Sequence, residues 1–160
     1  MTVPNILAQP LQKVVYMKDS NTNIHQKNLN ILVINDDATL LSSISFCLKA
    51  THHRVSIART NPKAFIQIKE RVENNNPFDL LILDITLPKG QPTSFLKSLN
   101  TINIHTPIIV MSNYDTSNQR KELSQLGAQY FLSKPFSKEE LLKIVGEIQN
   151  KSNTSPIAKC

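Results

Sequence analysis

Cysteine is scarce in this chain of 160 residues: Cys47 and Cys160 are the whole supply. Two thiols so placed offer neither metal-ligand spacing nor a disulfide framework, and they point to a reducing compartment, the cytoplasm. No apolar run approaches the length needed to cross a bilayer. The amino terminus lacks a charged stretch followed by a long apolar one, so no signal peptide is expected. Internal repeats are lacking as well. The four histidines, His25, His52, His53 and His105, have no ligand spacing and read as surface or loop residues, not as phosphohistidines. These absences argue against a disulfide-stapled secreted domain, a membrane span and a Cys/His metal module.

A dense basic stripe is also missing, although the net charge is +6. Residues 1–29, 30–149 and 150–160 each carry two more basic than acidic side chains, so the long central part is nearly balanced. That distribution suits a solvated surface better than a nucleic-acid face.

What the chain does have is 40% hydrophobic residues and a length suited to one domain. Residues 1–28 read as a polar extension with a small apolar island at Leu11, Val14, Val15 and Met17. Residues 150–160, rich in Asn, Ser, Lys and Thr, read as a flexible tail. Between them, residues 29–149 alternate. Strand-length apolar runs lie at Leu29–Asn35, Arg54–Ala58, Leu80–Asp84, Pro107–Ser112 and Tyr130–Leu132. Three of them are continuously apolar, as expected of strands covered on both faces. Helical spacing fills the gaps. Leu40, Ile44, Cys47 and Leu48 line a first helix; Phe65, Ile68 and Val72 line a second, opened by Asn61–Pro62. Phe95, Leu96 and Leu99 mark a third. Leu123 and Leu126 mark a fourth, stopped at Gly127. Leu141, Leu142, Val145 and Ile148 line a fifth, which opens on the capping box Ser137-Lys-Glu-Glu140. Five β–α units in alternation imply an α/β, doubly wound parallel sheet with right-handed crossovers.

The polar residues fall at the ends of the runs: Asp36 and Asp37, Asp84, Ser112 and Lys134. In a parallel sheet the carboxyl ends share one edge, where open α/β proteins bind ligands. Carboxylates, a hydroxyl and an ammonium gathered there suit a hard cation and a phosphoryl group.

Ile31-Leu-Val-Ile-Asn-Asp-Asp37, Asp79-Leu-Leu-Ile-Leu-Asp-Ile-Thr-Leu-Pro88, Pro107-Ile-Ile-Val-Met-Ser112 and Gly127-Ala-Gln-Tyr-Phe-Leu-Ser-Lys-Pro-Phe136 together resemble the receiver domain of bacterial response regulators, the CheY-like family. The resemblance covers about residues 29 to 149 and implies a flavodoxin-like fold, with five parallel strands in the order 2-1-3-4-5 flanked by five helices. By the same resemblance Asp84 is the phosphoacceptor, and Lys134 pairs with its carboxylate and then with the phosphoryl oxygens. Ser112 and Phe131 are the switch pair, and Lys134–Pro135 is a cis peptide. Mg²⁺ is the implied cofactor. Asp36, Asp84 and the backbone carbonyl of Thr86 are its ligands, with Asp37, and Asn35 through a water, as further candidates. The implied function is a stand-alone receiver that is not an enzyme beyond its own phosphorylation and dephosphorylation. It takes phosphoryl from a histidine kinase or a histidine phosphotransfer protein. Output would run through a target protein bound at the fourth helix, fifth strand and fifth helix, without direct contact to nucleic acid or membrane, and with a homodimer on phosphorylation as one form of output. Three alternatives stand beside it: a pseudo-receiver that binds partners without phosphorylation, a receiver piece of a longer DNA-binding regulator, and a carboxylate-nucleophile phosphatase on the same fold, against which Thr86 stands where such enzymes usually have a second acid.

Departures from the family pattern sharpen the expectations. Asn35 stands where an acid is usual, which removes a charge and predicts weaker Mg²⁺ binding. Pro88-Lys-Gly-Gln-Pro92 predicts a stiff loop after Asp84. Asn113 and Tyr114 crowd the mouth and predict a long-lived phosphoaspartate. Glu70–Pro77 reads as an enlarged surface loop.

Overall fold

The apolar runs pair as five parallel strands. A computed structural model of the chain describes residues 27–86, 92–113 and 116–153. The Leu11–Met17 island, His25, the Pro88–Gln91 stretch, Tyr114 and Cys160 lie outside the described residues. In chain order the elements are β1 (Asn30–Ile34), α1 (Ala38–Ala50), β2 (Arg54–Ala58), α2 (Asn61–Glu73), β3 (Leu80–Asp84), α3 (Pro92–Thr101), β4 (Ile108–Ser112), α4 (Ser117–Gln125), β5 (Tyr130–Ser133) and α5 (Lys138–Asn153). The sheet order is β2-β1-β3-β4-β5, the expected doubly wound topology.

Strand pleating divides the core in two. Leu32, Ile34, Leu81, Leu83 and Val110 face one side, with Ala64 and Ile68 of α2, Phe95 and Leu99 of α3, and Leu123 of α4. Ile31, Val33, Leu80, Ile82 and Met111 face the other, with Leu41, Ile44 and Leu48 of α1 and Leu141, Val145 and Ile148 of α5. A sheet covered on both faces needs apolar residues at successive positions, which is why β3 and β4 are buried throughout.

The helix ends are set by local chemistry. Asp37 caps α1, its Oδ1 accepting from the N–H groups of Thr39 (2.8 Å) and Leu40 (3.1 Å). Thr60, not Asn61, caps α2, accepting from Lys63 N–H; Pro62 sits in its first turn. The capping box of α5 forms as expected: Ser137 N–H donates to Glu140 at 2.7 Å and Glu140 N–H to Ser137 Oγ at 3.1 Å. Gly127 ends α4 at φ +104°, a conformation that an L side chain adopts only under strain. The turns after α1, α2 and α3 use His52, Asn75 and Asn103 in left-handed conformation instead.

Three expectations shift. In α1 the core face is Leu41, Ile44 and Leu48, while Leu40 and Cys47 sit half-buried at its flank. Residues 150–153, placed by sequence in the tail, continue α5. His53 is not at the surface: it is buried, and its Nδ1 accepts the Leu29 N–H at 3.2 Å. The Glu70–Pro77 expectation shifts as well: Glu70–Glu73 are the end of α2, and only the Asn74-Asn-Asn76 link beyond it is an exposed loop. No described helix is long and apolar enough to cross a membrane.

Candidate functional site

Register builds the site. Ile34 pairs with Leu83, so Asn35 follows beside Asp84; Asp84 pairs with Met111, and Ser112 pairs with Ser133, the residue before Lys134. Three strand ends and the exit of a fourth therefore deliver polar groups to the carboxyl edge of the sheet.

Asp84 is the centre, with only 3% of its surface exposed. A carboxylate taken from water that far must be met by donors or counter-charge. Its Oδ1 accepts from Thr86 N–H at 2.8 Å and from Thr86 Oγ1–H at 2.5 Å. Its Oδ2 accepts from the Lys134 ammonium, in an ion pair, and from the Asn35 side-chain amide at 2.7 Å. Lys134 Nζ also lies 3.5 Å from Thr86 Oγ1. Charge-assisted bonds of this kind are the strong ones. The Lys134 backbone N–H donates to the Ser112 carbonyl at 2.8 Å, which ties the exit of β5 to the end of β4. The Lys134–Pro135 peptide is cis, as the resemblance implies.

The residues around this centre divide. Ser112 is buried at the end of β4, on the same edge. Asp36 is exposed; its carbonyl accepts from Arg59 Nη2 at 2.9 Å. Asp37, a candidate ligand by sequence, is exposed and is engaged by the amino terminus of α1. Asn35 is buried, and its Oδ1 accepts from Asp37 N–H at 2.8 Å. Its second group donates directly to Asp84, a contact that sequence reasoning, which treated Asn35 as a neutral acceptor, missed. The Thr86 hydroxyl was missed as well; its only signal is its place two residues after Asp84. Phe131, on β5, is half-buried, with the Arg120 guanidinium 5.3 Å from its ring centroid. Asn113, the residue after β4, is exposed. Among the described residues no group of three His, Cys, Asp or Glu side chains stands ready for a metal.

This is the architecture of a receiver: a 2-1-3-4-5 parallel sheet with an aspartate at its carboxyl edge, held by the lysine that follows β5. The family described as the response regulator receiver domain matches residues 31–146, and the chain belongs to that family. Among curated relatives, the transcriptional regulatory protein ZraR of Escherichia coli O157:H7 is 27% identical over 114 residues, 71% of this chain and 25% of that protein. Response regulator MprA of Mycobacterium sp. (strain KMS) is 29% identical over 114 residues, 71% of this chain and 47% of that one. The chain thus spans between a quarter and a half of these relatives. Among solved structures, the receiver domain of the Francisella response regulator 1452 is 27% identical with a TM-score of 0.68, over 78% of this chain and 99% of that one.

Proposed function

We propose that this chain is a phosphorylation-driven switch in which Asp84 accepts a phosphoryl group from a phosphohistidine of a kinase or a phosphotransfer protein. The observation that carries this reading is the buried Asp84 carboxylate, paired with Lys134 at the open edge of the sheet. An Asp84 oxygen attacks phosphorus in line. The P–N bond to imidazole breaks, its electron pair stays on that nitrogen, which then takes a proton, and the carboxylate becomes an acyl phosphate. Lys134 keeps its ammonium against the charge that moves onto the phosphoryl oxygens.

Mg²⁺ fits the donors in kind, because they are hard oxygens: the exposed Asp36 carboxylate, Asp84 and the Thr86 carbonyl. Bound there, it would neutralise phosphoryl charge. Asp37, already engaged as a helix cap, is the weaker candidate ligand.

Ser112 would turn its hydroxyl to the phosphoryl group, and Phe131 would follow by leaving Arg120. The face of α4, β5 and α5 would then change for a target protein, as a population shift driven by local contacts. We place this in the cytoplasm, with output through protein contact, either as a separate receiver or within a longer regulator of the kind its relatives' names describe. A pseudo-receiver is the second reading, and the Asn35 amide on Asp84 is the observation that favours it.

The test is intact mass after incubation with acetyl phosphate and Mg²⁺. One added phosphoryl, lost with EDTA and in Asp84→Ala, is expected. No gain, either from acetyl phosphate or from a panel of phosphohistidine proteins, would leave the pseudo-receiver.

A further inference from the structure

We infer that Asn35 is a positioning residue that locks resting Asp84 without a divalent cation, so that a cation entering the site has to displace the Asn35 amide. The inference rests on reading Asp84 as the acceptor and its surroundings as the cation site.

Asn35 is 1% exposed, and the β1–β3 register fixes it beside Asp84. Its orientation is determined by chemistry. Asp37 N–H can only donate, so the amide oxygen faces it at 2.8 Å and the NH₂ group is left for Asp84 Oδ2 at 2.7 Å. Asp84 then receives four donors from the described residues, two on each oxygen: Thr86 N–H and Oγ1–H on Oδ1, Asn35 and Lys134 on Oδ2. A carboxylate offers about four lone-pair sites, and these are filled. A cation must take one of them. Lys134 holds its place by full charge, and Thr86 N–H is fixed by the backbone. Among the side chains, the neutral Asn35 amide yields most readily. When it turns, it also lets go of the N–H of Asp37, the residue that caps α1. Cation entry at Asp84 is thereby coupled to the first turn of α1.

A carboxylate at the same position would invert this. One oxygen would keep the Asp37 N–H, and the other would face Asp84 Oδ2 acceptor to acceptor, where only a proton or a cation can bridge.

The experiment is thermal melting of the whole chain in EDTA and in millimolar Mg²⁺, for wild type, Asn35→Asp and Asn35→Ala. The wild-type midpoint is expected to move by less than about 2 °C with Mg²⁺. Asn35→Asp should melt about 4–8 °C lower in EDTA and regain most of that with Mg²⁺. Asn35→Ala should fall too, and gain more from Mg²⁺ than the wild type, because the obstructing amide is gone. A wild type that gains as much as either variant overturns the inference, as does Asn35→Asp melting at the wild-type temperature in EDTA. Should Asn35→Asp fail to fold in both buffers, wild type against Asn35→Ala decides by the same criterion. These melts need no phosphorylation. A chain that never takes label but shows this pattern keeps the lock and loses the receiver chemistry; a labelled chain whose wild type gains strongly does the reverse.

Discussion

β3 is flanked by two aspartates with the same kinds of partner, one at each edge of the sheet. Asp79, just before the strand, meets Lys27 at 2.6 Å, the Asn30 backbone N–H at 2.8 Å and the Asn30 side-chain amide at 3.2 Å. Asp84, its last residue, meets Lys134 and Asn35. The side chain of Asp79 is 17% exposed, that of Asp84 3%. Asp79 is a staple: its partners come from the segment that starts β1, and the Lys27 carbonyl in turn accepts from Gln149 of α5 at 2.9 Å. Asp84 draws its partners from three separate stretches that converge only at the carboxyl edge. Residue type is therefore not what separates a fastening from a reaction site. Place in the parallel sheet is the proposed distinction, because open α/β sheets bind their ligands at the carboxyl ends of the strands.

The bluntest challenge to the comparison lies between the two aspartates. Ile82 is fully buried at the middle of β3, and Ile82→Ala should cost about 3–5 kcal/mol in urea unfolding, weakening both ends together. Asp79→Ala should cost about 1–2 kcal/mol, from lost hydrogen bonds and a partly exposed ion pair, and should leave phosphoryl labelling intact. Burial acts to raise the Asp79 pKa, but the Asn30 backbone N–H and Lys27 outweigh it and hold the group below the ordinary 3.8. Its contribution is thus present above pH 3.8 and is lost as pH falls through the lower folded value, so Asp79→Ala should flatten that acid limb.

The smallest effect sits at the same amino edge. Burial lowers the pKa of His53, and His52 adds to it. The unfolded chain therefore binds the proton more readily, and stability should fall as pH drops below 6.5 toward the lower folded value. The urea midpoint should be lower near pH ~5.5 than near neutrality, and His53→Gln, which can still accept the Leu29 N–H, should remove that difference.

Much of this was legible in the residues. Continuous apolar runs mark β1, β3 and β4 because both faces of the sheet are covered, and Asp84, Ser112 and Lys134 announce the edge by ending such runs. Ser137 and Glu140 declare the cap of α5 because a capping box is local chemistry. The missed features depend on register or on three-dimensional burial. Nothing in the spacing tells that Asn35 turns its amide to Asp84, since that follows from Ile34 pairing with Leu83 across 49 residues. That Asp37 caps α1 depends on the helix starting at Ala38. His53 looks like a polar turn residue, and only the packing of the β1 entry over it reveals an acceptor inside the fold.

The most direct test sets the two aspartates against each other. Wild type, Asp79→Ala and Asp84→Ala are incubated with acetyl phosphate and Mg²⁺, and intact mass is read. One added phosphoryl is expected in wild type and in Asp79→Ala, and none in Asp84→Ala. Label that survives in Asp84→Ala, or that disappears in a folded Asp79→Ala, would contradict the assignment of the carboxyl edge as the reaction site.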